Sequence, residues 1–267
     1  MVDYVTIRAS SLSDLFDCPA RWEAKHLLNK RLPTSDAARL GTAVHAGTAA
    51  YDQAVLDGAP ISADDAAGAV VDKIWDNTDD DVVWDDLNQS EAEKIGLALH
   101  KMYCKEIAPR QEYIGVEVTC ERLVLEDLGI ALTGTTDRIR RTAYGFYGIA
   151  DLKTGKTAVA ADGTVKTAGH AGQLGVYSLL ASHAIGQPLD APAQIIGLTT
   201  AKTDKGRRVG IGEVEGATDL LVGDDDNPGL LQMASKLIHN GDFYGNQRSA
   251  LCSVKYCPAY NTCKWRR

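Results

Sequence analysis

Hydrophobic residues recur at helical spacing in the first part of the chain. Residues 10–28 begin with a serine cluster that can cap a helix, and Leu15 and Trp22 follow near that spacing. Residues 39–58 carry a face of small residues suited to close helix packing. From 60 to about 110 the pattern stays mostly helical. We therefore predict an N-terminal helical region and a helical insert at 60–110.

After this region the hydrophobic period changes from helical to alternating. Residues 113–127, 129–142 and 144–154 alternate apolar and polar positions between Gly and Asp breaks, which predicts consecutive antiparallel strands. We expect one α/β domain over 1–267, with a central mixed β-sheet flanked by helices. The pattern further predicts a helix over 168–186, a strand pair over 193–214 and a long helix over roughly 217–240.

Composition and charge narrow the functional classes. The 267 residues are 45% hydrophobic and 24% charged, which suffices for a sizeable core. No run approaches the roughly 18 to 20 apolar residues that span a bilayer, and the N-terminus lacks the pattern of a signal peptide. We expect a cytoplasmic protein, in the host cytoplasm if phage-encoded, with no membrane partner. A net charge of -8 still allows a local basic groove for nucleic acid.

The stretch YGFYGIADLKTGKTAV, residues 144–159, ends in Gly-Lys-Thr as a P-loop does. Ala150 stands where the P-loop signature requires its first glycine, and the residues that follow do not read as a helix. On a strand, Asp151 and Lys153 point to the same face, with backbones about 6.5 to 7 Å apart. In isolation such a pair is usually a surface ion pair at a strand end.

Asp137 allows a second interpretation of this pair. It lies about one hairpin before Asp151, so the two carboxylates can reach the same end of the sheet, where they repel each other unless a cation lies between them. His45 lies on an early helix, and the i, i+4 spacing of Gln173 and Tyr177 puts them on one helix face. The ordered set predicts a divalent metal site.

The motifs G-T-x-x-H, G-x-x-D, D-x-K and Q-x-x-x-Y, in this order, resemble the RecB-type branch of the PD-(D/E)xK nuclease superfamily. The resemblance runs from about residue 10 to the C-terminus and implies a restriction-endonuclease-like core. It also implies Mg²⁺ or Mn²⁺, with the histidine favouring manganese. The implied metal ligands are His45, Asp137, Asp151 and the Leu152 carbonyl.

The same resemblance assigns roles to the remaining motif residues. Lys153 would orient or help to deprotonate the attacking water, while the metal acts as a Lewis acid. Gln173 and Tyr177 would position Lys153 or the DNA strand. The family's upstream glutamate is Glu117 or Glu121, and the sequence does not choose between them.

Two basic groups are candidate phosphate contacts. One surrounds Asp137, and the other lies in the segment AKTDKGRR. Each is equally consistent with a solvated strand face or turn. The groups comprise Arg138, Arg140, Arg141, Lys202, Lys205, Arg207 and Arg208.

The C-terminal segment CSVKYCPAYNTCKWRR concentrates three of the six cysteines. In a reducing compartment such a cluster indicates metal rather than disulfides, and Cys18 is the candidate fourth ligand. Cys104 and Cys120 are expected to be free core residues. Cys18, Cys252, Cys257 and Cys263 together resemble the iron-sulfur staple of CRISPR-associated exonucleases and of the nuclease domains in bacterial helicase-nucleases. The resemblance implies a [4Fe-4S] cluster that ties the two ends of the chain together, with structural zinc as the alternative.

The first hypothesis for function is a metal-dependent DNA exonuclease that acts on single-stranded or duplex DNA ends. It would be a stand-alone enzyme of phage or mobile-element type, working in recombination, replication or DNA processing, with a protein of those processes as candidate partner. The alternatives are a CRISPR-adaptation nuclease that works with an integrase, a DNA-binding accessory subunit with an inactive nuclease fold, and a redox or iron sensor. Polarity and oligomeric state stay open.

Overall fold

The computed structural model describes residues 4–76, 78, 81–224 and 226–266. Its helices in chain order are α1 (Leu12–Asp17), α2 (Pro19–His26), α3 (Asp36–Leu56), α4 (Ala63–Ala66), α5 (Gly68–Trp75), α6 (Gln89–Glu106), α7 (Ala171–Ile185) and α8 (Leu230–Asn240). Its strands are β1 (Val5–Arg8), β2 (Thr34–Ser35), β3 (Val82–Val83), β4 (Tyr113–Leu125), β5 (Ile130–Arg141), β6 (Tyr147–Gly155), β7 (Ala193–Thr199) and β8 (Val209–Val214).

Six of these strands form one mixed sheet. Its order is β1-β5-β6-β7-β8, and β4 pairs with β5 as well. The pairs β4–β5, β5–β6 and β7–β8 are antiparallel, whereas β6–β7 and β1–β5 are parallel. Helix α7 lies in the connection between the parallel neighbours β6 and β7, as a parallel crossover requires. The predicted mixed sheet flanked by helices is confirmed.

Both faces of the sheet are covered, so the central strand β7 is buried along its whole length. Neighbouring residues of this strand face different cores. Ile195 packs in a core that includes Trp22 and Leu174, whereas Ile196 packs in a core that includes Leu40 and Leu99. Helices α1, α7 and α8 therefore cover one face, and α3, α5 and α6 cover the other.

The segment over 217–240 differs from its prediction. Only α8, from Leu230 onward, is helical, because Pro228 and two close glycine backbones form a turn before it. A Cβ on Gly223 would lie 2.3 Å from the Gly229 nitrogen, so the chain can cross itself here only without side chains. The N-terminal helix is likewise divided, into α1 and α2, at Cys18, whose backbone is extended before Pro19.

Among the residues that the structure describes, no helix is long and apolar enough to cross a membrane.

Candidate metal and active site

The site lies where two central strands separate. Along one edge of β5, residues 130–133 pair with β1 and residues 138–141 pair with β6. Asp137 precedes the last pair of the β5–β6 ladder, Arg138 with Ala150, and Asp151 follows it. Beyond that pair the strands diverge, and the Leu152 N–H donates to Asp137 Oδ2 at 2.7 Å. The carboxylate thus replaces a ladder partner that the separation removes.

Helix α3 approaches this opening closely because its facing residues are small. A Cβ on Gly41 would lie 2.8 Å from Thr154 Oγ1 of β6. The close approach brings His45 Nε2 to 3.2 Å from the Leu152 carbonyl oxygen. Gly41 therefore helps to position the histidine, whereas Gly47 of the predicted small-residue face packs against Val70 of α5.

Three ligand atoms, one each from His45, Glu117 and Asp137, all lie within 4.8 Å of one another. His45 Nδ1 is 3.5 Å from Asp137 Oδ2. Glu121 is exposed and lies outside this group. The structure thus brings Glu117, rather than Glu121, to the predicted site.

The register of β4 explains the position of Glu117. Val116 pairs with Arg138 and Val118 with Thr136, so Glu117 stands opposite Asp137. A shift between Cys120 and Leu123 moves the register by one residue, and an unbroken hairpin would instead place Val118 there. Two opposed carboxylates on neighbouring strands repel each other, which favours a cation between them. Glu117 also has a left-handed φ of 46°, a strained conformation of the kind found at functional sites.

Asp151 is almost fully buried beside this group. The Lys153 Nζ lies 2.6 Å from Asp151 Oδ2, and Gln173 Nε2 donates to Oδ1 at 3.4 Å. Burial raises the pKa of Asp151 to about 6, with the Lys153 ammonium opposing and the Asp137 charge adding to the rise. Asp151 and Lys153 therefore form an ion pair, but inside the site rather than at the surface.

The other groups titrate as a set of opposed charges. Burial would lower the pKa of His45, but the charge and hydrogen bond of Asp137, with Glu117 and Asp151, raise it. Burial would raise the pKa of Asp137, but His45, the Leu152 N–H and Lys153 lower it. Burial and the Asp137 charge raise the pKa of Glu117. An excess of carboxylates in a buried site is the condition that a divalent cation relieves.

The donor set fits a divalent cation. One imidazole nitrogen and two carboxylates suit Mg²⁺ or Mn²⁺, and the imidazole favours manganese. The three ligands His45, Glu117 and Asp137 border or underlie an open cleft of about 590 Å³ whose wall includes Lys153 and Thr154. Asp151 does not belong to the close group of three, whereas the Leu152 carbonyl oxygen lies 3.2 Å from His45 Nε2.

Gln173 and Tyr177 lie on α7, on the side of the sheet opposite α3. Tyr177 packs against β5, where a Cβ on Gly134 would lie 2.9 Å from its ring. Burial raises the pKa of its hydroxyl to about 12, against a hydrogen bond with Gln173. Since Gln173 also contacts Asp151, the pair braces the carboxylate from behind.

Of the three arginines around Asp137 that the sequence offered as phosphate contacts, Arg138 and Arg140 are buried and cannot serve, whereas Arg141 is exposed. Arg138 is fully buried, where its Nε lies 2.7 Å from Asp52 Oδ2 and its Nη1 3.3 Å from Glu117 Oε1. Arg140 is also buried and donates to the Pro192 carbonyl at 2.6 Å. Arg138 instead braces the glutamate of the metal group, a role that its position beside Asp137 did not reveal.

The distant cysteines meet at the two ends of the chain. Cys18, Cys252, Cys257 and Cys263 line one cavity, whose wall also includes Arg21 and Arg266. The Asn246 N–H lies 3.4 Å from Cys18 Sγ, a contact that suits a sulfur acceptor. Among the described residues, His45, Glu117 and Asp137 are the only three potential ligand residues of the types His, Cys, Asp and Glu whose atoms all lie within 4.8 Å of one another. No three of the four cysteine sulfurs therefore lie that close together.

Comparison with known proteins identifies the family. The family model of the PD-(D/E)XK nuclease superfamily matches residues 6–264. No curated protein matches the chain. Among solved structures, the crystal structure of SSO0001 matches at a TM-score of 0.45 and 15% sequence identity, over 100% of this chain and 89% of that one. The family match covers nearly the whole chain and every residue of the site described above, and the chain therefore belongs to the PD-(D/E)XK nuclease superfamily.

Proposed function

We propose that this nuclease is a Mg²⁺- or Mn²⁺-dependent DNA exonuclease of RecB type that acts on single-stranded or duplex DNA ends. The observation that carries the proposal is the group of His45, Glu117 and Asp137 beside the Asp151–Lys153 pair. These residues combine a cation site, a positioned ammonium and an open cleft in one place. The order of the motifs supports the RecB type, from which the end-directed action and the phage or mobile-element setting follow as expectations.

His45, Glu117 and Asp137 would hold the divalent cation, which would supply Lewis-acid polarisation of the scissile phosphate. Among the protein's own side chains, Lys153 is the one placed to act on the reacting groups. Its side chain is 29% exposed toward the cleft and fixed at Asp151, so its ammonium can donate to the attacking water or to a phosphate oxygen at a defined point. Gln173 restrains the Asp151 carboxylate from the other side, which limits the positions open to Lys153.

Digestion of end-labelled DNA tests the proposal. Single- and double-stranded substrates with free or blocked ends are incubated with the wild type and Asp151→Ala in Mn²⁺, Mg²⁺ or EDTA. Asp72→Ala, which removes an exposed carboxylate from α5, is the matched control. We expect metal-dependent loss of label from free ends by the wild type and the control only. Cleavage of blocked or circular DNA at the same rate would refute end-directed action, and an inert wild type that binds DNA would favour the accessory-subunit alternative.

The four cysteines are proposed as ligands of a [4Fe-4S] cluster. A tetrahedral zinc about 2.3 Å from each sulfur needs sulfurs only about 3.8 Å apart. That no three of these sulfurs lie within 4.8 Å of one another favours a larger group, whereas the arginines in the cavity wall suit the negative charge that four thiolates give to either centre. Such a cluster would strengthen contacts that already join the ends, such as the Ser249 hydroxyl donating to Asp17 at 2.6 Å.

Metal analysis tests the cysteine site. Anaerobically purified wild type is expected to show broad visible absorbance and about four iron atoms per chain. Cys18→Ala is expected to lose both and to unfold at lower temperature. Cys120→Ala, which makes the same change at a buried cysteine outside the cavity, is expected to keep the iron. One zinc and no iron per chain would overturn the cluster in favour of a zinc site.

A further inference from the structure

A second cavity adjoins the catalytic cleft. It has a volume of about 310 Å³ and shares two wall residues, Ala37 and Thr154, with the cleft. Thr154 directly follows Lys153 on β6, so a DNA strand bound at Lys153 would reach this cavity next. The volume lies at the lower end of the range typical of ligand pockets. The cavity is therefore placed to receive the part of a substrate next to the scissile bond.

Tyr256, from the cysteine segment, is one of the residues that line this cavity. The Ser253 carbonyl accepts the N–H groups of both Tyr256 and Cys257, at 3.2 and 2.9 Å, so the ring is carried on a closed turn. Cys257 anchors this turn in the cysteine cavity. On its other side the Lys255 Nζ lies 3.8 Å from Asp85 Oδ2, in the segment before α6. Tyr256 is nonetheless 47% exposed, which leaves ring surface available.

The rest of the cavity combines an apolar floor with a basic rim. Leu40, Leu87 and Ile95 line the floor. Lys156 and Lys202 stand at the rim with 78% and 58% of their side chains exposed. Both ammonium groups face exposed carboxylates at 3.4 and 2.9 Å, contacts that contribute little and that a phosphate can replace.

The wall has two acidic members, Asp86, which pairs with Lys156, and Asp36, which is already satisfied. Asp36 accepts hydrogen bonds from the backbone N–H groups of Ala37, Asp86 and Leu87, at 2.6, 2.7 and 2.8 Å. These three N–H groups partly offset the Asp36 charge, so it opposes an anion at the rim less than a free carboxylate would. An aromatic wall, an apolar floor and exposed ammonium groups are together the chemistry that receives a nucleotide of a single strand.

We propose that this cavity binds one nucleobase of the substrate strand, stacked on Tyr256, with the adjoining phosphates at Lys156 and Lys202. The inference rests on the proposed nuclease function and names a binding site for its substrate. It also assigns a role to the four residues between Cys252 and Cys257, since they form the turn that places Tyr256 between the cysteine cavity and the second cavity.

Steady-state cleavage of short labelled single strands tests the proposal. Tyr256→Ala is expected to raise KM about 5- to 150-fold, the usual value of one base stacked on an aromatic ring, and to leave kcat close to wild type. Tyr256→Phe keeps the ring and is expected to match wild type. Val254→Ala, an exposed residue of the same turn that does not line the cavity, is the matched control. Iron or zinc content is measured for each variant.

An abasic scan makes the test independent of how the variants fold. Substrates that lack one base at successive positions from the end are cleaved by the wild type. One position is expected to raise KM as much as Tyr256→Ala does, and in that variant the same abasic site is expected to have no further effect. A wild type insensitive to every abasic position, or a Tyr256→Ala variant with wild-type KM, would overturn the base site while leaving the nuclease function intact. A wild type that cleaves no substrate would instead refute the proposed function.

Discussion

Replacing Asp151 by asparagine is expected to stabilise the metal-free protein. The Asp151 side chain is 3% exposed, and burial, against Lys153 and with Asp137, raises its pKa from 3.8 to about 6. A carboxylate with a higher pKa in the folded chain than in the unfolded chain destabilises the fold increasingly as pH rises between the two values. At 1.4 kcal/mol per pH unit, the penalty above pH 6 is about 3 kcal/mol.

The asparagine removes the charge but also removes the attraction of Lys153 for it. We therefore expect a gain of about 1 to 3 kcal/mol at pH 8, or roughly 2 to 4 °C in Tm for each kcal/mol, and almost none at pH 4, where the carboxyl is largely protonated in the folded chain. We expect cleavage activity to be lost in the same variant. The residue thus trades stability for function.

Thermal unfolding monitored by tryptophan fluorescence at pH 4, 6 and 8 in EDTA measures this effect. Asp72→Asn removes an exposed charge of the same sign and is the control. Added Mn²⁺ should then stabilise the wild type more than Asp151→Asn, because the cation binds the folded state and neutralises the excess carboxylates. The reasoning is refuted if Asp151→Asn is less stable than wild type at pH 8, or if its gain is equal at pH 4 and pH 8.

Three further outcomes are expected. Glu117→Gln should lower cleavage and Mn²⁺ affinity by at least about 10- to 100-fold, the loss typical even of residues that only support metal ligands, whereas Glu121→Gln should leave both unchanged in end-label and titration assays. Asp52→Asn should destabilise the protein by up to about 3 to 5 kcal/mol in urea unfolding, because it removes the buried carboxylate of Arg138 and leaves only the half-exposed Glu117 to pair with it; an unchanged midpoint would contradict the pairing. Burial raises the pKa of Cys104 to about 12, so mass spectrometry should find it unmodified by iodoacetamide at pH 8 until urea is added.

The sheet was predictable from the sequence because most of its strands alternate clearly and are joined by short turns. The strand β1 was missed. Its four residues pair in parallel with residues 130–133, far along the chain, so no local turn in the sequence indicates the pairing. The C-terminal helix was predicted to begin at about residue 217, whereas it begins at Leu230, because a local turn overrides the hydrophobic pattern. Its hydrophobic residues fit a helix, but the turn at Gly223 and Gly229 decides where it begins.

The motifs named most of the site, but not the contacts that complete it. Choosing Glu117 required the one-residue register shift in β4, which no periodicity signals. Recognising that Arg138 is buried required Asp52, which lies 86 residues earlier in the chain. Both depend on pairings between distant segments, so they follow from the folded sheet and not from local sequence.

Because β5 and β6 separate at the site, losing one of its two aspartates has a different effect on stability from losing the other. Asp137 accepts the Leu152 N–H, so losing its carboxylate leaves a buried donor without a partner and costs stability as well as activity. Losing the Asp151 carboxylate has the opposite effect on stability, since it is expected to stabilise the fold. A descendant of this chain released from selection for cleavage would therefore tend to lose Asp151 first and to keep Asp137 longer.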